Sequence, residues 1–282
     1  MKPITPDDLI DRYDALLLDA YGVLVHSQGP LAGAGAFLER LRETGTDYLV
    51  VTNDASRLPE TCASRYGSDG IAVPADRILT SGLLIVPHLR SRGLTDTAVT
   101  VLGSRDSRTY LERAGYTVVE PGDDRAEAVV VCDEAGYDFV DAVQKTLSML
   151  VRAFDAGRNV ELVCPNPDRL FPMGPDQVGF TGGAVAALFE DALRARYPRK
   201  DVTFSRLGKP HPALYERAAE RLDADLDDIA MVGDQLSTDI KGARDFGIDS
   251  VLVTGGISTV EDELSDADLR PTWVMTSLVS AS

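Results

Sequence analysis

The stretch Ala15-Leu16-Leu17-Leu18-Asp19-Ala20-Tyr21-Gly22-Val23-Leu24 decides the fold. An apolar run ends in an aspartate, and a glycine follows shortly after. A short apolar run without polar alternation reads as a strand buried on both faces, which is the habit of parallel sheets. A carboxylate at the carboxyl end of such a strand sits where open α/β sheets place their ligands. Taken alone, Asp19 is equally a turn or helix-cap residue, since strand ends often carry one. The rest of the chain decides whether it is a nucleophile.

Similar apolar runs recur at 48–52, 98–102, 128–132, 160–164, 229–233 and 250–254. Amphipathic helical stretches lie among them, at 34–44, 57–67, 105–115, 138–156, 181–196, 212–222 and 237–247. This alternation predicts βαβ units, hence an α/β fold with a doubly wound parallel sheet. The chemically suggestive residues fall in 19–53 and 205–239, while the middle of the chain has strands and helices of its own. The economical reading is a core of 1–83 and 179–282 with an α/β unit inserted at 84–178. Thr80-Ser81-Gly82 precedes the insert, and the glycines between Gly179 and Gly183 follow it as candidate hinges.

Composition narrows the function. The chain has 282 residues, 44% of them hydrophobic, enough for a core or two. Its net charge of −17 argues against a nucleic-acid partner, which calls for a basic face. No run approaches the roughly 18 apolar residues of a membrane span, and Met1 to Asp14 is polar and acidic. A soluble, cytoplasmic enzyme with no membrane partner is expected. Cys62, Cys132 and Cys164 are far apart and form no CxxC pair, so they read as buried small hydrophobes. Lysine occurs only at positions 2, 145, 200, 209 and 241, so Lys209 in an arginine-rich chain invites a specific explanation.

Four strand ends carry compatible groups. Asp19 is the first. Thr52-Asn53 offers a hydroxyl and main-chain N–H groups at a helix start, suited to phosphoryl oxygens. Leu207-Gly208-Lys209-Pro210 offers an ammonium on a backbone stiffened by proline, and Gly233-Asp234 is followed by Asp239. Phosphoryl transfer to an aspartate needs a nucleophilic carboxylate, a divalent cation and fixed donors around the phosphoryl group. Asp19 is placed to attack, Asp19 and Asp234 to hold Mg²⁺, and Thr52 and Lys209 to supply donors. Asp239 either supports the metal shell or is a first-turn helix acid favoured by the helix dipole. His88 and His211 have no metal-ligand partner at useful spacing, and His26, just past the first loop, reads as a polar loop residue rather than one facing the substrate.

With these motifs in order, the sequence resembles the haloacid dehalogenase superfamily. The motifs read Leu-Leu-Asp19-Ala-Tyr-Gly-Val, Val-Val-Thr52-Asn-Asp, Gly-Lys209-Pro and Val-Gly-Asp234-Gln-Leu-Ser-Thr-Asp239-Ile. More narrowly it looks like the branch of NagD-type and 4-nitrophenyl phosphatases, with a large α/β cap between the second and third motifs. The likeness extends to Asn166-Pro167-Asp168, Thr254-Gly255-Gly256 and Arg270-Pro271-Thr272-Trp273. It implies that Asp19 becomes an aspartyl-phosphate and that Mg²⁺ is held by Asp19, Asp234 and the main-chain carbonyl of Tyr21. It implies further that Thr52, Lys209 and the N–H groups of Tyr21, Gly22 and Asn53 bind the phosphoryl group. A cap loop with Asn166, Asp168 and Arg169 would choose a small phosphorylated metabolite, and caps of this type often take part in homodimers.

The sequence departs from that pattern at Tyr21, where hydrolases of the superfamily usually have a second aspartate as general acid and base. A phenol holds its proton at neutral pH and is no general base there. Asp54, His26 and Asp168 are the candidates for its replacement. Weak or selective phosphatase activity is expected, and the alternatives are a catalytically impaired phosphate-ester binding protein or a phosphotransferase.

Overall fold

A computed structural model describes residues 2–26, 29–174, 177–254 and 269–279. Gly255 and Gly256 of the C-terminal motif lie outside the described residues. The chain forms two compact units: one of 1–52, 59–79 and 209–282, the other of 53–58 and 80–208.

The first unit is built on a seven-stranded sheet. In spatial order its strands are Lys2–Pro3, Trp273–Met275, Asp249–Val253, Ile229–Gly233, Ala15–Asp19, Asp47–Thr52 and Ile78–Thr80. Strand Ala15–Asp19 pairs in parallel with Ile229–Gly233 on one side and with Asp47–Thr52 on the other. The chain therefore leaves this strand in both directions along the sheet. Its carboxyl end, Asp19, is a topological switch point, where such sheets open a crevice.

Every residue of Ala15–Asp19 and of Ile229–Gly233 is buried, as the unbroken apolar runs require. Leu16 and Leu18 join Val50, Val232 and Val251 in one cluster. Leu9 and Ile10 of helix Pro6–Arg12, Phe37, Leu38 and Leu41 of helix Ala34–Thr44, and Tyr66 of helix Pro59–Ser68 complete it. Leu17, Leu49 and Met231 alternate with these and face the other side. Helix Pro212–Ala219 packs on strand Asp47–Thr52 and on helix Lys241–Phe246. The sheet is thus covered on both faces, and the expected doubly wound α/β core is present.

The second unit has its own parallel five-stranded sheet: Ser205–Arg206, Glu161–Cys164, Ala128–Val131, Ala98–Leu102 and Thr117–Val119. A separate antiparallel hairpin joins Leu170–Gly174 to Gln177–Phe180. This second unit, of 53–58 and 80–208, is wider than the expected insert at 84–178. Helix Gly182–Arg196, expected in the core, packs on the second sheet: Val185, Ala186, Phe189 and Leu193 share a cluster with Val129, Val131, Leu162 and Cys164. Gly182 and Gly183, among the candidate hinges, are sites of close approach. A Cβ on Gly183 would overlap the main-chain oxygen of Pro167, and one on Gly182 would press on that of Cys132. The segment 53–58, expected in the core, also belongs here: Ser107 Oγ donates to the Ala55 carbonyl at 2.9 Å, and the Leu58 N–H donates to Asp106 at 3.0 Å.

Glu190 ties this helix to the rest of its unit. Its carboxylate is buried and accepts from the Phe204 N–H at 2.8 Å, from Arg206 at 3.0 Å and from Arg194 at 3.2 Å. Burial alone would raise its pKa, but Arg206 and the Phe204 N–H outweigh that and lower it. A carboxyl whose folded pKa is depressed stabilises the protein above its unfolded pKa and loses that contribution as pH falls through the folded value. Glu190→Gln is therefore expected to destabilise by about 2–4 kcal/mol in neutral urea unfolding. The gap to wild type should narrow in acid below the ordinary carboxyl range, whereas a gap that is independent of pH contradicts the assignment.

Candidate active site

In the first unit three segments distant in sequence deliver charged side chains to one place. Asp19 ends its strand, Lys209 opens the segment leading to helix Pro212–Ala219, and Asp234 follows strand Ile229–Gly233. Lys209 Nζ lies 2.6 Å from Asp19 Oδ1 and 2.7 Å from Asp239 Oδ1, and donates to the Val51 carbonyl at 3.2 Å. Oxygens of Asp19, Asp234 and Asp239 all lie within 4.8 Å of one another. All four side chains are buried. Thr52 is buried at the end of the strand beside Asp19. The Lys209–Pro210 peptide bond is cis.

Local backbone geometry explains these placements. The loop after Asp19 closes through main-chain bonds from Gly22 N to Val25 O at 2.8 Å and from Leu24 N and Val25 N to Ala20 O. Gly22 takes φ +90°, a conformation that favours glycine, and a Cβ there would overlap the carboxylate of Asp234. Asp234 thus packs against the bare backbone of this loop. Beyond it the expected helix 237–247 divides into a π turn, Leu236–Ile240, and a helix, Lys241–Phe246. In the turn Asp239 Oδ2 accepts from the Gln235 N–H at 3.2 Å while Oδ1 faces Lys209. The first-turn-acid reading of Asp239 is therefore incomplete, because its carboxylate is directed into the site.

The electrostatics follow from burial and charge. Burial raises the Asp19 pKa well above the usual carboxyl value; Lys209 opposes the rise, while Asp239 and Asp234 add to it. For Lys209 burial alone would lower the pKa, but Asp19 and Asp239 outweigh it and hold the ammonium charged. Three carboxylates against one ammonium leave negative charge in excess where water is scarce, an arrangement a divalent cation neutralises. Clustered oxygen ligands without a nitrogen or sulfur donor fit a hard cation such as Mg²⁺, with Asp19 and Asp234 as the direct side-chain candidates.

Tyr21 and His26 lie in the first unit, and Asn53, Asp54, Asn166, Asp168 and Arg169 in the second. Asn53 Nδ2 donates to Asp168 Oδ1 at 3.0 Å, and the Asp168 N–H donates to Asn166 Oδ1 at 3.1 Å. Asp54 accepts from Ser56 at 2.7 Å and from Arg57 at 2.8 Å, so it is engaged in its own turn. His88, unassigned by the sequence, pairs with Glu161 at 2.8 Å. Sequence reading missed Asp133, just beyond strand Ala128–Val131. Burial, with Glu134 and Asp54 nearby, pushes its pKa up to about 8. The signal was the same as at Asp19, an acid after a buried apolar run.

Residues 16–117 match a family model described as haloacid dehalogenase-like hydrolase, and residues 206–281 match a second, HAD-hydrolase-like model. A dihydroxyacetone phosphatase of Corynebacterium glutamicum is 29% identical over 262 residues, 93% of this chain and 88% of that protein. A possible sugar phosphatase of the same superfamily from Cytophaga hutchinsonii superposes with a TM-score of 0.86 at 28% identity, over all of both chains. A glycerol phosphate phosphatase of Mycobacterium tuberculosis, solved in complex with magnesium, gives 0.79 at 26% identity over 96% of this chain and 76% of that one. The chain belongs to the haloacid dehalogenase-like hydrolases. Its fold is that of the branch containing NagD.

Gly22→Ala tests the packing of the loop on Asp234. It is expected to destabilise by about 2 kcal/mol or more, since the positive φ and the overlap with a buried carboxylate act together. Thermal unfolding that matches the wild type would contradict this packing.

Proposed function

We propose that the chain is a Mg²⁺-dependent phosphatase that hydrolyses a small phosphorylated metabolite through an aspartyl-phosphate on Asp19. The observation that carries the reading is the ammonium of Lys209 held 2.6 Å from Asp19 beside two further buried carboxylates. The phosphatase class is supported by the relatives, whose names are those of phosphatases. Those names also favour a sugar or polyol phosphate as substrate.

An Asp19 oxygen attacks phosphorus, the bond from phosphorus to the ester oxygen breaks, and the leaving group departs. Water then attacks the same phosphorus, releasing phosphate and freeing the carboxylate. Lys209 and Thr52, with the N–H groups of Tyr21, Gly22 and Asn53, hold the phosphoryl oxygens and offset their charge. Asp19, Asp234 and the Tyr21 carbonyl would hold Mg²⁺, which would supply positive charge to offset repulsion between carboxylate and phosphoryl group. Asp239 fixes Lys209 and supports the metal shell. Asn166 and Asp168 contribute to substrate choice. Tyr21 delivers no carboxylic proton, so the leaving oxygen departs as an anion or takes its proton from another source.

This mechanism makes two demands on kinetics. Turnover of 4-nitrophenyl phosphate and of glycerol and sugar phosphates should require Mg²⁺, stop with EDTA, and fall by about 10⁴-fold or more in Asp19→Asn. Tight binding of a phosphate ester without turnover by the wild type would instead establish the impaired binding protein that Tyr21 suggests, and phosphate appearing only on an acceptor would establish a transferase. Tyr21→Asp should raise kcat on an alkyl phosphate by about 10²-fold or more and change 4-nitrophenyl phosphate little, because only the poor leaving group needs the proton. Equal effects on the two substrates would refute the missing-acid account.

A further inference from the structure

We propose that Tyr215 is a positioning residue for the metal site, its hydroxyl holding the π turn that presents Asp234 and Asp239. This rests on the reading of Asp234 as a magnesium ligand. Tyr215 stands on helix Pro212–Ala219, six residues after Lys209, and is 1% exposed. Its hydroxyl lies 3.1 Å from the main-chain oxygen of Asp239 and 3.3 Å from that of Thr238. Both carbonyls belong to the π turn Leu236–Ile240, just before helix Lys241–Phe246 begins.

The phenol adds a side-chain donor at that junction. Where an i→i+5 turn gives way to an i→i+4 helix the hydrogen-bond ladder changes register, and here the Lys241 N–H is shared between the Leu236 and Thr238 carbonyls. The Tyr215 hydroxyl ties the Thr238 and Asp239 carbonyls from outside the turn and so holds this step in place. Its position is fixed from two further sides. The Tyr215 ring stacks on Phe246 with centroids 5.8 Å apart. A Cβ on Gly242 would overlap the hydroxyl, so the next helix approaches it with bare backbone. Phenylalanine would fill almost the same space without the donor.

The consequence is geometric. The turn carries Asp239, whose carboxylate meets Lys209, and it begins two residues after Asp234. One segment, 209–215, therefore supplies both the ammonium facing Asp239 and the hydroxyl that anchors the Asp239 backbone. Tyr215 touches no reacting atom; it restricts the turn to the form in which the carboxylates converge.

The test is calorimetric titration of metal-free, full-length protein with MgCl₂, alongside thermal unfolding in EDTA. The proteins are wild type, Tyr215→Phe, Asp234→Asn and Tyr116→Phe. Tyr116 is a buried tyrosine of the second unit whose hydroxyl donates to the Leu94 carbonyl at 2.7 Å, so its variant reports the loss of a comparable bond remote in sequence. Tyr215→Phe is expected to weaken Mg²⁺ binding about tenfold, as loss of a supporting contact around a metal site does. Tyr116→Phe should lose stability and keep wild-type affinity. Wild-type Mg²⁺ affinity in Tyr215→Phe, with binding lost in Asp234→Asn, overturns the inference and leaves the metal reading standing. Wild-type affinity in Asp234→Asn overturns the metal reading and the inference together.

Discussion

The buried ammonium of Lys209, held between Asp19 and Asp239, is the constraint on which the first unit depends. Burial by itself would discharge a lysine, and it raises the Asp19 pKa. Asp19 and Asp239 outweigh burial at Lys209 and hold it charged, while Lys209 opposes the rise at Asp19. The balance is incomplete, because three acidic groups face a single ammonium, and a divalent cation would offset the excess. It also explains why three separated segments must meet within a few ångströms. A shift at any of them would leave a buried charge without its partner.

The parts of the fold legible in the sequence were those where one physical cause dominates. Strands buried on both faces read as unbroken apolar runs, and Ala15–Asp19, Ala98–Leu102 and Ile229–Gly233 lie where those runs predict. Elements with a weaker cause escaped notice. Strand Thr117–Val119 has three residues and Ser205–Arg206 has two, too short for a pattern. Hairpin Leu170–Gly174 and Gln177–Phe180 exposes its apolar residues, so no alternation marks it. The π turn was hidden for another reason: Leu236, Ile240 and Ala243 keep helical spacing, and the extra residue in the turn is tied to contacts of Asp239 with groups distant and near.

The boundary of the inserted unit shows how a correct observation can carry two meanings. The apolar stripe Val185, Ala186, Phe189 and Leu193 states that helix Gly182–Arg196 must bury one face, but either sheet would satisfy it. Gly182 and Gly183 offered hinge freedom or close approach, and sequence alone does not separate these uses of a missing Cβ. The structure resolves both through packing: a side chain at Gly183 would collide with Pro167, and Glu190 meets Arg206 within the same unit. Asp19, Lys209 and Asp234 stood out in the sequence because phosphoryl transfer to an aspartate calls for such groups and their order along the chain is distinctive, whereas Asp239 carried two readings. Asp133 did not stand out, because a strand-end acid carries little information without companions.

Tyr21 separates two requirements that a second aspartate would have met together. The loop needs a backbone that turns sharply after Asp19, and this is secured by Gly22 at positive φ and by main-chain bonds to Val25 and Ala20. None of these bonds uses the side chain at position 21, so the loop keeps its shape and its main-chain carbonyl whatever residue stands there. Proton delivery from position 21, by contrast, depends on that side chain. Tyrosine there removes that carboxylic donor and leaves the charged groups around Asp19 in place. Under the proposed mechanism attack on phosphorus is retained while the rate is governed by the leaving group, so selectivity would arise from leaving-group chemistry before any contact with the rest of the substrate is considered.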